Sequence, residues 1–182
     1  PIGTADAVKA ALNNISPDSQ TLILYGDVPL IKLQTLKKML SANEDSLTIL
    51  TTELTDPTGY GRVKKDDAGL ALSIVEEKDA TSEEKKIKEI FTGVLCCKKT
   101  LLEEAISQVD NHNAAGEYYL TDIVSIISAK GYKINTCVAS NDEVKGANTK
   151  RELSELECIY RKMKADELSL IHISEPTRPR LI

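Results

Sequence analysis

The sequence contains no tryptophan, one phenylalanine and two histidines. Aromatic stacking is therefore not expected to organise a binding surface. Positive charge is not in excess: 23 Lys+Arg stand against 28 Asp+Glu, a net charge of -5. A nucleic-acid backbone needs a basic footprint, so nucleic acid is not expected as a partner. No run of about 18 apolar residues exists, so no membrane-spanning helix is expected. Disulfide frameworks and zinc sites are also missing. Cys96 and Cys97 are adjacent and would point to opposite faces of a strand. Cys137 and Cys158 lie far away, with no C-x-x-C or His cluster. Free thiols in a reducing cytosol follow.

What is present is enough chain for one sizeable core: 182 residues, 41% of them hydrophobic. Residues 5–12 carry Ala7, Val8, Ala11 and Leu12 on one helical face. Residues 21–25 form a short apolar, β-prone run that stops at the turn Gly26-Asp27-Val28-Pro29. A helix over 32–42 and a strand over 47–53 complete one βαβ unit. Residues 61–65 and 70–77 flank Asp66-Asp67-Ala68-Gly69 and predict a hairpin. Thr81 with Glu84 predicts a capping box, with a helix to about residue 88. A strand over 89–97 is interrupted by Gly93. A helical stripe over 101–109, a buried helix over 118–129 closed by Gly131, a strand over 133–139 and a long helix over 149–167 follow.

Both ends look cut. The chain starts at Pro1, just before Gly3-Thr4 and a helical pattern, with no Met. From Leu168, the run LSLIHISEPTR resembles the translation of a transposase-type sequencing adapter. Residues 168–182 are expected to be a non-native tail and are set aside. Residues 1–167 then read as part of a longer protein's domain, with one histidine left. That residue, His112, sits in a polar segment and reads as a solvated loop side chain rather than a base.

Asp27 is the best single candidate for chemistry. A carboxylate at a strand's carboxyl end, beside a glycine that lets a ligand approach, suits a hard cation such as Mg²⁺. Most Asp residues in turns only cap backbone amides, so the motif alone is weak. Glycines 59 and 61 could equally serve a tight turn. Glu76 and Glu77 could be solvated strand-end charges, Tyr118 and Tyr119 helix-packing residues, and Asn148 part of a helix cap.

An ordered set of motifs goes further. It comprises Gly3-Thr4-Ala5, the stretch LYGDVPLI from Leu24, and DPTGYGR from Asp56. After these come Ile74-Val75-Glu76 with Lys78-Asp79-Ala80, then GEYYLTDI from Gly116, then Gly146-Ala147-Asn148. This set resembles the uridylyltransferase domain of the bacterial bifunctional N-acetylglucosamine-1-phosphate uridylyltransferase/glucosamine-1-phosphate acetyltransferase family. The resemblance implies an α/β, Rossmann-like nucleotidyltransferase domain with a mixed, mainly parallel sheet, truncated at its N-terminus.

It further implies that UTP and N-acetylglucosamine 1-phosphate give UDP-N-acetylglucosamine and pyrophosphate, in the bacterial cytoplasm, for cell-envelope polysaccharides. By the same resemblance, Gly3 and Thr4 contact the uracil. Tyr25, Gly26 and Asp27 line the nucleotide and sugar, Gly61 and Glu76 bind the sugar, and Thr121 lies near it. Asp27 and Asn148 hold Mg²⁺. The sugar phosphate attacks the α-phosphorus in line, and no general base is needed because it is already ionised.

Three departures matter. The family's opening strand, its glycine-rich phosphate loop and a uracil-contacting Gln would precede Pro1, so this chain alone is expected neither to turn over nor to stay free of aggregation. Phe91 stands where the family usually has an Asn contacting the sugar. Its ring supplies no amide hydrogen bond, so the substrate or its contacts are expected to differ. The acetyltransferase half, through which the parent protein would form homo-oligomers, is absent. Another sugar-1-phosphate nucleotidyltransferase, or a non-catalytic sugar-nucleotide-binding domain, are the alternatives.

Overall fold

A computed structural model describes residues 2–42 and 46–174. Six strands form one sheet: β1 (Gln20–Ile23), β2 (Leu47–Glu53), β3 (Arg62–Lys65), β4 (Ala71–Val75), β5 (Glu89–Lys98) and β6 (Ile134–Val138), in the order β1-β5-β2-β6-β4-β3. Six helices accompany it: α1 (Thr4–Ala11), α2 (Leu33–Ala42), α3 (Lys99–Ile106), α4 (Asp122–Ala129), α5 (Asn141–Val144) and α6 (Lys150–Ser174).

The α/β class and the mixed sheet agree with the sequence reading. Parallelism holds for strand direction but not for pairing. β1, β2, β3 and β6 run one way and β4 and β5 the other. Yet among the described strands only β2 and β6 pair in parallel. The reason is β5, which slots antiparallel between β1 and β2, so the two strands of the βαβ unit are parallel without touching.

The sheet carries a hydrophobic layer on each face. The larger contains Leu47, Ile49, Phe91, Leu95 and Cys97 from the strands, with Leu102 and Ala105 of α3 and Ile123 and Ile127 of α4. The smaller joins Leu50, Val94 and Cys96 to Met39 of α2 and Val144 of α5. β2 is buried through Thr52, as a central strand covered on both faces should be. Each fully buried leucine contributes roughly 1.5–3 kcal/mol relative to exposure. The adjacent Cys96 and Cys97 fall in opposite layers, as strand alternation requires. None of the four cysteines is in a disulfide.

Three element boundaries depart from the sequence reading. The expected helix over 118–129 begins only at Asp122. Before it, the backbone pairs with the chain's first residues: Tyr118 N–H donates to Ile2 O at 2.9 Å, and Ala5 N–H to Tyr118 O at 2.9 Å. The capping box does form, with Thr81 N–H and hydroxyl donating to Glu84 Oε2 at 2.9 and 2.8 Å. Its helix is one 3-10 turn over Glu84–Lys86, because Ile87 turns extended and Lys88 O already accepts from Leu54 N–H. At the other end, α6 continues past residue 167 to Ser174, through residues with no proline or glycine. Of the expected non-native tail, residues 175–182 lie outside the described residues.

Candidate functional site

The turn after β1 carries Tyr25, Gly26 and Asp27 to the carboxyl end of the sheet, where open α/β folds bind ligands. A cleft of about 370 Å³ opens there. Eight of the ten residues singled out from the sequence line it: Thr4, Tyr25, Asp27, Gly61, Glu76, Phe91, Thr121 and Asn148. They come from α1, the turn after β1, the turn before β3, the end of β4, β5, and the segments before α4 and α6.

Gly3 and Gly26 do not border the cleft. Gly3 has φ of 107°, and a β-carbon there would stand 2.5 Å from Tyr118 O. Its glycine requirement is thus met by packing against Tyr118. Gly26 has open space around the corresponding position, so nothing in the protein itself demands a glycine.

Two contact sets organise the cleft. In the first, Thr121, at the N-terminal boundary of α4, donates its hydroxyl to Glu76 Oε1 at 2.9 Å. Gly61 lies against the same carboxylate: a β-carbon on it would sit 3.5 Å from Glu76 Oε2 and 2.7 Å from Ile74 Cγ2. Burial pushes the Glu76 carboxyl above its ordinary pKa, the Thr121 bond opposes this, and Asp79 adds to the rise. In the second set, Ala147 N–H donates to Asp27 O at 3.0 Å and draws residues 146–148 beside Asp27. The β-carbon position of Gly146 lies 3.8 Å from Asp27 Oδ2. Asn148 N–H and Thr149 N–H both donate to Glu152 Oε2, which fixes the start of α6 as a capping box. The side chain of Asn148 is not used in that cap.

Tyr25 bridges the sets. Its phenol is pushed upward by burial first and by the Glu76 charge second, while a hydrogen bond with Thr4 opposes the rise. The charged residues that line the cleft are all acidic: Asp27, Glu76, Glu117 and Glu152. Among the described lining residues there is neither Lys nor Arg. A second cleft of about 400 Å³ adjoins this one across Glu76 and Tyr119, and it includes Asp79, Asp110 and Asp122. His112 borders it with an exposed side chain, as expected of a solvated loop residue.

Sequence reasoning passed over three functional features. Gly93, φ 85°, supports the ring of Tyr25 from β5; a glycine inside a strand pattern was its only signal. Tyr119 faces both clefts rather than packing a helix. Glu77, read as a solvated charge, is the partner of the fully buried Arg62, with 2.5 Å between Oε2 and Nη2. Only the family resemblance separates Glu76 from Glu77 in the sequence, and it gives no sign of the ion pair with Arg62.

The sequence profile of the nucleotidyl transferase family matches residues 1–143. The chain belongs to this family. Among characterised relatives it is similar to the bifunctional protein GlmU of Dechloromonas aromatica, 43% identical over 180 residues, covering 97% of this chain and 40% of that protein. It is likewise similar to the bifunctional protein GlmU of Methylococcus capsulatus, 49% identical over 168 residues, covering 91% and 36%. The chain thus spans about two fifths of these relatives' length. A crystal structure from Bacillus anthracis, of a protein assigned as a glucose-1-phosphate thymidylyltransferase, superposes with a TM-score of 0.67 at 17% identity, covering 87% of this chain and 61% of that one. That likeness carries the fold. The family match supports a nucleotidyltransferase as the activity class.

Proposed function

We propose that the cleft forms UDP-N-acetylglucosamine and pyrophosphate from UTP and N-acetylglucosamine 1-phosphate. The observation that carries this reading is the gathering of Thr4, Tyr25, Asp27, Gly61, Glu76, Phe91, Thr121 and Asn148, from separate segments, around one cleft. In this reading Glu76 accepts hydrogen bonds from sugar hydroxyls, with Thr121 holding its free oxygen in place. Gly61 lets backbone approach the sugar where a β-carbon would block it. Thr4 and Tyr25 border the nucleotide. The chain contributes positioning: the sugar phosphate is already an anion, and no side chain need take its proton.

The donor set fits Mg²⁺. Asp27 and Asn148 offer a carboxylate and an amide oxygen, the hard ligands this ion prefers, and leave positions for water and phosphate oxygens. Among the described residues no group of three or more His, Cys, Asp or Glu could hold a metal by itself. A bound Mg²⁺ would supply charge neutralisation for the phosphates. The acidic lining supports this reading, because a cation would offset the repulsion between a triphosphate and the carboxylates of the cleft.

This reading puts the reaction in the bacterial cytoplasm, supplying cell-envelope polysaccharide synthesis. No described helix is long and apolar enough to cross a membrane. A second reading keeps the chemistry and changes the sugar. It is favoured by Phe91, whose side chain is 5% exposed within the larger core layer and offers no hydrogen bond.

Pyrophosphate release with Mg²⁺, UTP and a panel of sugar 1-phosphates, measured on the chain joined to a family-type N-terminal strand and glycine-rich phosphate loop, tests the proposal, with binding of UDP-sugars measured in parallel. Release with N-acetylglucosamine 1-phosphate, lowered at least tenfold by Asp27→Asn, is the expected result. Release with another sugar selects the second reading. Binding without release makes the chain a sugar-nucleotide-binding domain, and neither binding nor release removes the proposal.

A further inference from the structure

Arg62 opens β3 directly after the turn over residues 57–61, three of whose residues, Gly59, Tyr60 and Gly61, border the cleft. Its side chain is 2% exposed. The guanidinium reaches back beneath the turn, with Nη1 donating to Tyr60 O and Nη2 donating to Glu77 Oε2 at 2.5 Å. The same Glu77 oxygen accepts from Gly59 N–H at 3.3 Å. Lys85 stands 3.7 Å from the other oxygen.

One ion pair therefore grips the turn's backbone at two successive residues and ties it to the segment after β4. Beyond this, Tyr60 N–H donates to Pro57 O at 3.2 Å within the turn, and Phe91 N–H donates to Gly61 O at 2.9 Å at its β5 end, which leaves Gly59 and Tyr60 to the ion pair. Gly59 and Tyr60 are exposed and sit outside both core layers, and Asp56 bonds only locally to Thr58. Glu76 and Glu77 are chain neighbours with divided tasks: Glu76 bonds Thr121 at the cleft, and Glu77 bonds the guanidinium beneath its rim.

A guanidinium out of water is tolerated only when paired, and its rigid planar fork holds a carboxylate and a carbonyl in one fixed geometry, whereas an ammonium's donors rotate about a single nitrogen. Well-packed apolar side chains could fill the same volume. What the ion pair adds is a fixed direction for the backbone it holds.

We propose that Arg62 and Glu77 are positioning residues that set the Gly59-Tyr60-Gly61 rim, and through it the fit of the sugar portion of a sugar nucleotide. The proposal rests on the sugar-nucleotide reading given above. It separates the sugar from the nucleotide: the rim adjoins Glu76 and Gly61, whereas Thr4 and Tyr25 are held independently of it.

The test titrates the full chain with UDP and with UDP-N-acetylglucosamine, two probes that share the nucleotide while one adds the sugar on its terminal phosphate, in Mg²⁺ by calorimetry, each variant being compared with the wild type for the same probe. The variants are Glu77→Gln and the double variant Arg62→Met/Glu77→Met, which removes both charges at once. Affinity for UDP-N-acetylglucosamine should fall about tenfold, the scale of a small misplacement of a contact surface, while affinity for UDP stays unchanged. If the double variant does not fold, Arg62→Lys, which keeps the charge but loses the fork, carries the test with the same expectation. Equal weakening of both probes, or of neither, overturns the positioning role. A wild-type chain that binds neither probe overturns the sugar-nucleotide reading itself, and the inference falls with it.

Discussion

A β-carbon on Gly93 would stand 2.5 Å from both Cδ2 and Cε2 of Tyr25. The tyrosine ring lies flat on bare backbone, at a point where β5 departs from regular pairing. Ile49 faces Leu95 and Thr51 faces Phe91, so residues 92–94 of β5 bulge opposite Leu50 alone. Thr92 secures the bulge by donating its hydroxyl to Leu50 O at 2.9 Å. Gly93→Ala should lower stability by about 1–3 kcal/mol through its positive φ, and should displace the ring. Shortening the ring in Tyr25→Ala/Gly93→Ala should recover part of that loss, because the clash is then gone and only the backbone strain remains. Chemical denaturation of the single and double variants measures the coupling. Strict additivity would mean that the two residues do not touch in solution.

Thr121→Val removes a hydrogen bond to the Glu76 carboxylate. Burial and the charge of Asp79 then act unopposed, so the Glu76 carboxyl should titrate at a still higher pH. Carbon-detected NMR titration of the Glu76 side chain reads this directly. UDP-N-acetylglucosamine affinity should weaken as well, and more near pH 5 than at neutral pH, because the variant's Glu76 is then protonated to a greater extent than the wild type's. An unmoved titration would show that Thr121 does not reach Glu76.

Asp122 makes stability depend on pH. Its carboxyl is pushed up to about 6 by burial first, then by Asp110, Glu76 and Asp79. The native state thus holds this proton more tightly than the unfolded chain. The stabilisation is present below the unfolded pKa near 3.8 and is lost as pH rises towards 6. Asp122→Asn should therefore add about 1 kcal/mol at pH 7, a figure already reduced for solvent screening, and nothing at pH 3.5. Urea midpoints at the two pH values check the sign.

Phe91→Asn should separate packing from selectivity. The side chain belongs to the larger core layer, so the substitution is expected to cost about 3 kcal/mol in stability. If Phe91 also borders the sugar, the ratio of UDP-N-acetylglucosamine to UDP-glucose affinity should rise in the variant. A lower melting temperature with an unchanged ratio would make Phe91 a core residue only.

Much of this was legible before any fold was known, wherever a residue's fate depended on its near neighbours. The hairpin around Asp66–Gly69 formed because its turn residues and flanking alternation agreed. The Thr81–Glu84 box formed its bonds, but the length of its helix was decided by Leu54, just past the end of β2, claiming Lys88 O. Tyr118 was assigned to a helix because its partner, Ile2, lies more than a hundred residues away. Glu76 and Glu77 make the limit plainest. They are identical in type and adjacent, and their roles diverge only because Arg62 is folded beneath one and Thr121 beside the other. Long-range placement of this kind leaves no local pattern to read.

The neighbouring thiols of β5 give the molecule two built-in clocks. Cys96 looks into the layer of α2 and α5, and Cys97 into the layer of α3 and α4. Both are fully buried, and the Cys97 thiol is pushed up to about 12 by burial and by Cys96 beside it. Neither thiol can meet an alkylating reagent until its own covering layer lifts. Under native conditions the two labelling rates time the opening of the two coats separately, although the reporters are joined by a single peptide bond. Equal rates would mean that the coats come away together; unequal rates would tell which one leaves first.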